Sequence, residues 1–243
     1  MAGDIVFGLN AVTEALSAGR GINRIYIAKE SHVRGIDPLL DEARARKVPF
    51  DFVPQAKLNE LTGTREHQGI AAAVSPLEYT TLNDCLSQCP PEATLLVLDQ
   101  VQHPKNLGML IRSAAAAGAS GVLLTARGGA LLDESVVRAS AGTVFHVPVV
   151  PCGNLSQALR TLQDANFWIY GLDAKGPDNI FDVKWPARCA LVVGNESEGL
   201  RPGVAKACDH LIHIPLAREI DSLNAAIAAS VALFQVAATR HRR

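Results

Sequence analysis

The pattern of hydrophobic and polar positions differs between the first 75 residues and the chain from residue 93 onward. From residue 93 onward, short and nearly continuous apolar runs alternate with segments whose apolar residues recur at helical spacing. Such runs predict strands buried on both faces, and the segments between them predict amphipathic helices. The pattern therefore predicts an α/β fold with a parallel sheet covered on both sides. The predicted strands are 94–99, 121–125, 146–150, 168–173, 189–194 and 210–215, and the predicted helices are 106–118, 133–141, 154–165, 200–207 and 222–240.

The first 75 residues predict a separate small α/β unit. Apolar residues recur at helical spacing in its helical segments, and alternate with polar ones in its clearest strand. The next segment, 76–92, contains no Lys or Arg and has two adjacent prolines, which favours a linker with one weak helical turn. The helices predicted before it are 8–19, 36–48 and 57–63, and the strands are 24–30, 49–54 and 67–77.

Composition narrows the class of protein. The chain has 243 residues, of which 48% are hydrophobic and 19% are charged, as expected for a globular protein with a sizeable core. We see no signal peptide and no apolar run of membrane-spanning length, and expect a soluble, cytoplasmic protein without a membrane partner. The five cysteines include no CxxC pair, which favours reduced thiols over a zinc site or disulfides.

The charge balance argues against a nonspecific nucleic-acid binder. The formal net charge is −1 and the sequence pI is about 6.6, whereas such binders are usually basic. An RNA enzyme with this balance must concentrate positive charge locally. One candidate is the C-terminal run Arg240, His241, Arg242 and Arg243, although such a run is also typical of a solvated tail.

The first polar cluster follows the strand that ends at Asp99, in the segment LDQVQHPKNLGMLIRSA (98–114). A helix is predicted to begin near Asn106, where an Asn side chain can cap free backbone N–H groups. Arg112 lies six residues further on, among Ala, Leu, Ile and Met. An Arg in such company is seldom buried without a partner, so it pairs with a carboxylate or faces a phosphate.

The second cluster is LVVGNESEGL (191–200), a strand followed by a tight turn into a helix. Gly194 and Gly199 allow the backbone to approach a ligand closely or to take positive φ. Glu196 and Glu198 precede the predicted helix, where a carboxylate also favours the helix dipole, so structural capping is an alternative to a chemical role. A glycine pattern of this kind is weak evidence when it stands alone.

The third cluster is IPLAREIDSLNAAIAAS (214–230). A loop follows the last predicted strand, and Ser222 is a natural N-cap for the helix after it. That helix is apolar nearly all round, which predicts burial inside the domain or against another subunit.

In this order, the three clusters resemble the signature motifs of the SpoU (TrmH) family of RNA ribose 2′-O-methyltransferases. That family belongs to the SPOUT superfamily of S-adenosylmethionine (SAM) enzymes. The resemblance implies a SPOUT-type parallel sheet with a C-terminal trefoil knot. It implies catalytic roles for Asn106, Arg112, Glu196, Ser222 and Asn224. The residues that it implies for SAM binding are Thr125, Gly171, Gly194, Ile214, Leu216, Ser222 and Leu223.

The resemblance extends to the N-terminal unit. GLNAV near the start and HQGIAA at 67–72 look like the substrate-binding domain attached to many SpoU enzymes, which is similar to RNA-binding ribosomal proteins of the L30e type. The implied organisation is an L30e-like RNA-binding domain over 1–75, a linker over 76–92 and a SAM-binding catalytic domain over 93–243.

Length and domain order look most like the family members that methylate a guanosine ribose in the peptidyl-transferase region of 23S rRNA. The resemblance implies SAM as methyl donor, 23S rRNA as partner and a homodimer whose interface includes helix 222–240. No metal is expected, because the methyl sulfonium of SAM is already an activated electrophile. We expect Arg112 to stabilise the developing alkoxide as a cation, because a guanidinium is too basic to serve readily as a general base.

Two alternative functions stay open, and a third is disfavoured. The substrate could be a tRNA ribose, or the chain could be an RNA-binding factor without catalysis. A dinucleotide-dependent oxidoreductase would suit the strand and helix alternation. It is disfavoured because no GxGxxG follows the first strand of the predicted sheet.

Overall fold

The computed structural model describes residues 4–19, 21–29, 33, 35–217 and 221–241. The chain divides into two compact units. The first contains Met1–Glu78 and Leu132–His146, and the second contains Tyr79–Leu131 and Val147–Arg243. Arg242 and Arg243 of the C-terminal basic run lie outside the described residues.

The first unit is built on a four-stranded mixed sheet with the strand order β1-β4-β2-β3. Strand β4 pairs antiparallel with both β1 and β2, and β2 pairs parallel with β3. Its elements are β1 Asp4–Phe7, α1 Leu9–Ser17, β2 Ile22–Ala28, α2 Asp37–Ala45, β3 Phe50–Val53, α3 Gln55–Thr62 and β4 Ile70–Val74.

The second unit contains a seven-stranded sheet in which every neighbouring pair is parallel, with the order β7-β6-β5-β10-β8-β11-β9. The predicted parallel sheet is thereby confirmed. From α4 onward, the elements of the chain are α4 Leu82–Ser87, β5 Ala93–Leu98, α5 Pro104–Ala116, β6 Gly121–Thr125, α6 Glu134–Ala139, β7 Val149–Cys152, α7 Leu155–Asp164, β8 Trp168–Leu172, β9 Asp178–Asn179, β10 Arg188–Val193, α8 Pro202–Ala205, β11 His210–His213 and α9 Ala225–His241.

Burial explains why this sheet forms. All six residues of β5 are buried, as are five of the six in its neighbour β10. These strands take the centre of the sheet because only nearly continuous apolar runs can be covered on both faces. Side-chain caps begin three of the helices: Thr81 opens α4, Asp133 opens α6 and Asn154 opens α7.

Three sequence predictions differ from the structure. Strand β1 and the two-residue strand β9 were not predicted, because both are too short to show a period. The strand predicted at 146–150 begins only at Val149, because a 3-10 turn over Thr143–Phe145 precedes it. The trefoil knot implied by the resemblance stays a prediction.

The last helix also begins later than predicted, at Ala225. Its cap is Asn224 and not Ser222, because Asn224 Oδ1 accepts hydrogen bonds from the backbone N–H groups of Ala226 (2.9 Å) and Ile227 (3.4 Å). At the far end, Arg240 Nη2 donates to the carbonyls of Ala93 and Ala187. This member of the basic run therefore anchors α9 in the fold. Among the described residues, no helix is long and apolar enough to cross a membrane.

Residues 132–146 leave the second unit between β6 and β7 and pack with the first unit. The sequence prediction had placed this segment inside 93–243. The guanidinium of Arg138 lies over the ring of Phe7, 5.6 Å from its centroid. His146 Nε2 lies 2.6 Å from Glu14 Oε2. The chain therefore passes between the two units three times, after residues 78, 131 and 146.

Gly142 permits this packing. Its φ of +86° is costly for other residues, and a Cβ there would lie 2.7 Å from Glu14 Cβ and 3.0 Å from Ala11 Cα. We expect Gly142→Ala to lower the free energy of unfolding by about 1 kcal/mol for the left-handed backbone plus roughly 1–3 kcal/mol for overpacking. Urea unfolding and limited proteolysis of 132–146 would measure this.

The matched control for Gly142→Ala is Gly63→Ala in the same unit. Gly63 has a φ of +64° and nothing within 4 Å of its ideal Cβ position. Gly63→Ala should therefore lower the free energy of unfolding only by the cost of the left-handed backbone. Equal losses in the two variants would mean that the close approach of Gly142 to α1 contributes nothing.

Candidate functional site

A cavity of about 470 Å³ opens beyond the carboxyl ends of β8, β10 and β11. The carboxyl edge of a parallel sheet is where α/β proteins bind ligands. Six of the predicted site residues line this cavity: Gly194, Glu196, Ile214, Leu216, Ser222 and Leu223.

The loop after β10 forms one wall, and it folds back tightly on itself. Asn195 and Gly199 exchange two backbone hydrogen bonds of 3.0 Å. Gly199 has a φ of +69°, and a Cβ on Gly194 would lie only 2.1 Å from the carbonyl carbon of Gly199. Any side chain at position 194 would therefore force the loop open.

Polar side chains hold this loop to the segment that follows β5, the neighbouring strand. Asn195 Oδ1 accepts from the backbone N–H groups of Ser197 (2.9 Å) and Glu198 (3.2 Å). Asn195 Nδ2 donates to the carbonyl of Gln100 at 2.9 Å. One amide side chain thus shapes the loop and ties it to the next strand.

The Glu196 carboxylate makes a second connection between the same segments. Its Oε1 accepts from Asn106 Nδ2 at 2.8 Å, and backbone N–H groups of Gln102 and His103 approach the two oxygens at 3.4 Å. Partial burial by itself would raise the pKa of Glu196, but the hydrogen bonds from Asn106 and the backbone outweigh it. The pKa of Glu196 is therefore below its ordinary value, and the carboxylate is ionised near neutral pH.

A buried ion pair makes the third connection. Asp99, the residue after β5, has no exposed side-chain surface. It accepts from the Arg201 backbone N–H (3.0 Å), from Arg201 Nε (2.7 Å) and from Arg201 Nη2 (2.6 Å). The sequence analysis assigned no role to Asp99, Asn195 or Arg201. Their signal was available in part, since each is polar and lies at the end of a predicted strand, directly after one, or in the first turn of a predicted helix.

The loop after β8 forms the opposite wall. Asp173 donates its backbone N–H to the carbonyl of Ile212 (3.0 Å) and accepts from the backbone of Lys175 (2.8 Å). His213 Nδ1 lies 2.8 Å from the carbonyl of Gly176, so this nitrogen carries the proton. A Cβ on Gly176 would lie 2.7 Å from the backbone of Leu211. The wall therefore packs directly on β11.

The third motif closes the cavity. Ser222 is exposed and Leu223 is half-buried, and both line the cavity. Asn224 points its oxygen at the first turn of α9, where it serves as a cap. Its predicted catalytic role therefore competes with a structural one.

Five predicted residues lie outside the cavity lining: Asn106, Arg112, Thr125, Gly171 and Asn224. Thr125 is buried at the end of β6, where its Oγ1 accepts from the backbone of Gln100 at 3.3 Å. Gly171 lies in β8, and a Cβ there would meet Leu211, Cys208 and Leu200 at 2.8–2.9 Å, so it supports the cavity wall from behind. Arg112 is exposed on α5. Positions six residues apart are about 120° apart around a helix, so Arg112 and Asn106 point in different directions.

The cavity has the size and the mixed lining of a small-molecule site. Its volume falls within the range of small-molecule sites, and it combines aliphatic side chains with loop backbone. Within the described part of the chain, no group of three or more His, Cys, Asp or Glu residues is placed to hold a metal ion. The larger aliphatic lining residues are Leu172, Val193, Leu200, Ile212, Ile214, Leu216 and Leu223.

Family models match most of the chain. The model described as the SpoU rRNA Methylase family matches residues 93–234. The model described as RNA 2′-O ribose methyltransferase substrate binding matches residues 5–80.

Individual relatives belong to the same family of methyltransferases as the matching models. An uncharacterized tRNA/rRNA methyltransferase of Synechocystis sp. is 38% identical over 239 residues, which make up 96% of this chain but only 62% of that protein. A protein of Staphylococcus epidermidis, named for the TrmH family of tRNA/rRNA methyltransferases, is 34% identical over 98% of this chain and 96% of its own length. The crystal structure of an AdoMet-bound rRNA methyltransferase from Sinorhizobium meliloti resembles this fold with a TM-score of 0.78. The match covers 99% of this chain and 88% of that one, and the two sequences are 28% identical.

The Glu196–Asn106 contact predicts a measurable titration change. Burial raises the pKa of Glu196, and in Asn106→Ala only backbone N–H groups would remain to lower it. The pKa of Glu196 should therefore rise in this variant. A depressed carboxylate pKa stabilises the folded state fully above the unfolded-state pKa, and this contribution is lost as pH falls through the folded-state pKa. Asn106→Ala should therefore be less stable than the wild type near neutral pH, and this difference should shrink as pH falls through the pKa of Glu196.

Carbon-detected NMR titration of the Glu196 carboxyl would test this in both proteins. Asn154→Ala removes an Asn cap from α7 and serves as the control. An unchanged Glu196 titration in Asn106→Ala would show that the side-chain hydrogen bond does not set this pKa.

Proposed function

Because the chain belongs to the SpoU family of RNA methylases, we propose that it transfers the methyl group of SAM to the ribose 2′-hydroxyl of a guanosine in 23S rRNA. The observation that carries the proposal is the cavity walled by the second and third motifs, with the Glu196–Asn106 contact joining it to the first motif. The AdoMet-bound rRNA methyltransferase of Sinorhizobium meliloti aligns with 99% of this chain, and so with both of its units.

The residues present fit SAM. Gly194 and Gly199 bring loop backbone up to the cavity, and the aliphatic side chains of Ile214 and Leu223 offer faces for an adenine ring. When bound, SAM supplies a methyl group on a positively charged sulfur, so the chemistry needs no metal to activate it. Thr125 and Gly171 would support the site from behind the lining.

Glu196 and Asn106 would orient the ribose. An ionised carboxylate has about four lone-pair sites, and Glu196 retains acceptor capacity beyond its contact with Asn106. Ser222, exposed at the cavity, offers a hydroxyl that can donate or accept. Methyl transfer frees the proton of the 2′-hydroxyl, for which a phosphate oxygen of the RNA or water is the acceptor.

Arg112 would stabilise the negative charge that develops on the 2′-oxygen. A guanidinium is a cation with five N–H donors, so the proposed role is electrostatic. Within the described part of the chain, Arg112 makes no ion pair, which leaves its charge available to a substrate. Because Arg112 lies outside the cavity lining, we propose that it acts on the cavity of a partner subunit.

The surface beside Arg112 supports a homodimer. Helices α5 and α9 pack together, with Ser113 Oγ 2.7 Å from Ser230 Oγ. On α9, Ile227 and Phe234 are 55% and 50% exposed. Residues seven apart lie on one helical face, so these two side chains form an apolar stripe of the kind that a second subunit covers.

Ribose-methylation mapping tests the function. RNA from cells that lack this protein should be missing one ribose methyl in 23S rRNA, and the wild-type chain should restore it. Gly194→Ala should neither restore it nor bind SAM in calorimetry, because its Cβ would open the loop. Gly203→Ala is the control, because its Cβ would meet only Ser156 Oγ at 3.9 Å. A methyl missing from tRNA alone would favour the tRNA alternative, and SAM binding by Gly194→Ala would contradict the cavity assignment.

A subunit-mixing experiment tests Arg112. Arg112→Ala should slow single-turnover methyl transfer by roughly a hundredfold or more, as expected for a lost electrostatic contact, and leave SAM affinity nearly unchanged. Arg112→Lys should recover part of the rate, because it keeps the charge but loses the planar fork. If Arg112 acts across a dimer, heterodimers of Arg112→Ala with Gly194→Ala contain one intact site. Mixing the two inactive proteins should then restore activity, whereas a site within one subunit predicts no recovery.

A further inference from the structure

The buried Asp99 carboxylate is the most constrained charged group at the site. Its side chain has no exposed surface, and among the described residues its three donor atoms, the backbone N, Nε and Nη2, all belong to Arg201. The Arg201 side chain remains 42% exposed. The pair thus joins a fully desolvated anion to a cation that keeps part of its hydration.

The pair lies at one end of the loop that walls the cavity. This loop leaves β10 at Gly194 and ends where Arg201 precedes α8. Near its start, Asn195 is tied to Gln100, and at its end Arg201 is tied to Asp99. Both anchors therefore lie on the two residues that follow β5.

The parts of the loop that would do the chemistry lie between these anchors. Leu200 lines the cavity directly before Arg201. Glu196 reaches the other way to Asn106 at 2.8 Å. The helix after the loop, α8, has only four residues, and its packing alone gives the loop little support.

We infer that Arg201 is a positioning residue, whose pairing with Asp99 holds the segment 194–200 in the shape that binds SAM and presents Glu196 to Asn106. The inference rests on the proposed function for its methyl-transfer measurement, but its binding and exchange measurements do not depend on the RNA substrate. Arg201 contacts neither the cavity nor the reacting atoms, and it acts on them through the loop.

Stability alone is a poor reason for such a pair. Desolvating a carboxylate is costly, and well-packed apolar residues often stabilise a core as well as a buried ion pair does. An ion pair does fix geometry, because Asp99 receives donors from both the backbone and the side chain of one residue. The backbone N–H contact sets the path of the chain at position 201, and the guanidinium sets its orientation.

Three variants separate positioning from simple charge compensation. Arg201→Ala removes the anchor and leaves Asp99 unpaired. Arg201→Lys keeps the charge with one donor group. The double variant Asp99→Asn with Arg201→Ala removes both the anchor and the buried charge, and it should fold even where Arg201→Ala does not. Arg188→Ala is the control, because Arg188 is a partly buried Arg of the same unit that donates to the Ala165 carbonyl and stacks on Phe167, outside the cavity lining.

The measurements are SAM affinity by calorimetry, amide hydrogen exchange over 195–200, thermal unfolding and single-turnover methyl transfer. We expect the double variant to unfold at nearly the wild-type temperature but to bind SAM about tenfold more weakly, a size typical of coupled contacts. Its loop amides should exchange faster, and its methyl-transfer rate at saturating SAM should fall. Arg201→Lys should recover part of both losses, and Arg188→Ala should change only the unfolding temperature.

Wild-type SAM affinity, loop exchange and rate in the double variant would overturn the inference, because the pair would then serve stability alone. Failure of the proposed function looks different. In that case the wild-type protein would methylate no RNA, while the changes in SAM affinity and loop exchange would still decide the role of Arg201.

Discussion

The site depends on the contact between the segment after β5 and the loop after β10. The two strands are neighbours at the centre of the parallel sheet, in a register that pairs Val193 with Leu98. Their loops therefore emerge side by side, and three polar connections join them: Asn195 to Gln100, Glu196 to Asn106 and Arg201 to Asp99. The strand pairing sets the first and second motifs side by side, and at this junction these connections fix the path of the loop between them.

The buried sheet makes that junction rigid, and the glycines make it compact. A parallel pair of fully buried strands can hardly slip, because a shift of one residue would turn its apolar side chains out of register with both covering layers. Gly194 then lets the loop return to within contact of its own strand end, at a spacing that no Cβ could occupy. The polar bonds act on a loop whose path is already restricted, so each costs little further ordering.

Much of this could be predicted from the sequence, for definite reasons. The apolar runs at 94–99 and 189–194 are strong period signals, and glycines and carboxylates beside them pointed to Gly194 and Glu196. The cap of α9 could not be chosen correctly, because Ser222 and Asn224 are both good caps and only the path of the loop decides between them. The Asp99–Arg201 pair joins residues 102 positions apart, and sequence spacing carries no sign of such a contact. The same is true of residues 132–146, whose burial is completed by residues of the other end of the chain.

The charges of the site are divided between two places. Glu196 is held ionised at the junction by hydrogen-bond donors, whereas Arg112 stands exposed on α5, away from the cavity lining. The Glu196 carboxylate is an anion, and it would repel the negative charge of a developing alkoxide. Glu196 therefore suits orientation of the ribose, and stabilisation of the alkoxide needs a separate cation. In the proposed homodimer, Arg112 of one subunit would reach the cavity of the other. Under this proposal methyl transfer would be coupled to assembly, because each subunit would bind SAM at its own junction and would supply the cation to the other.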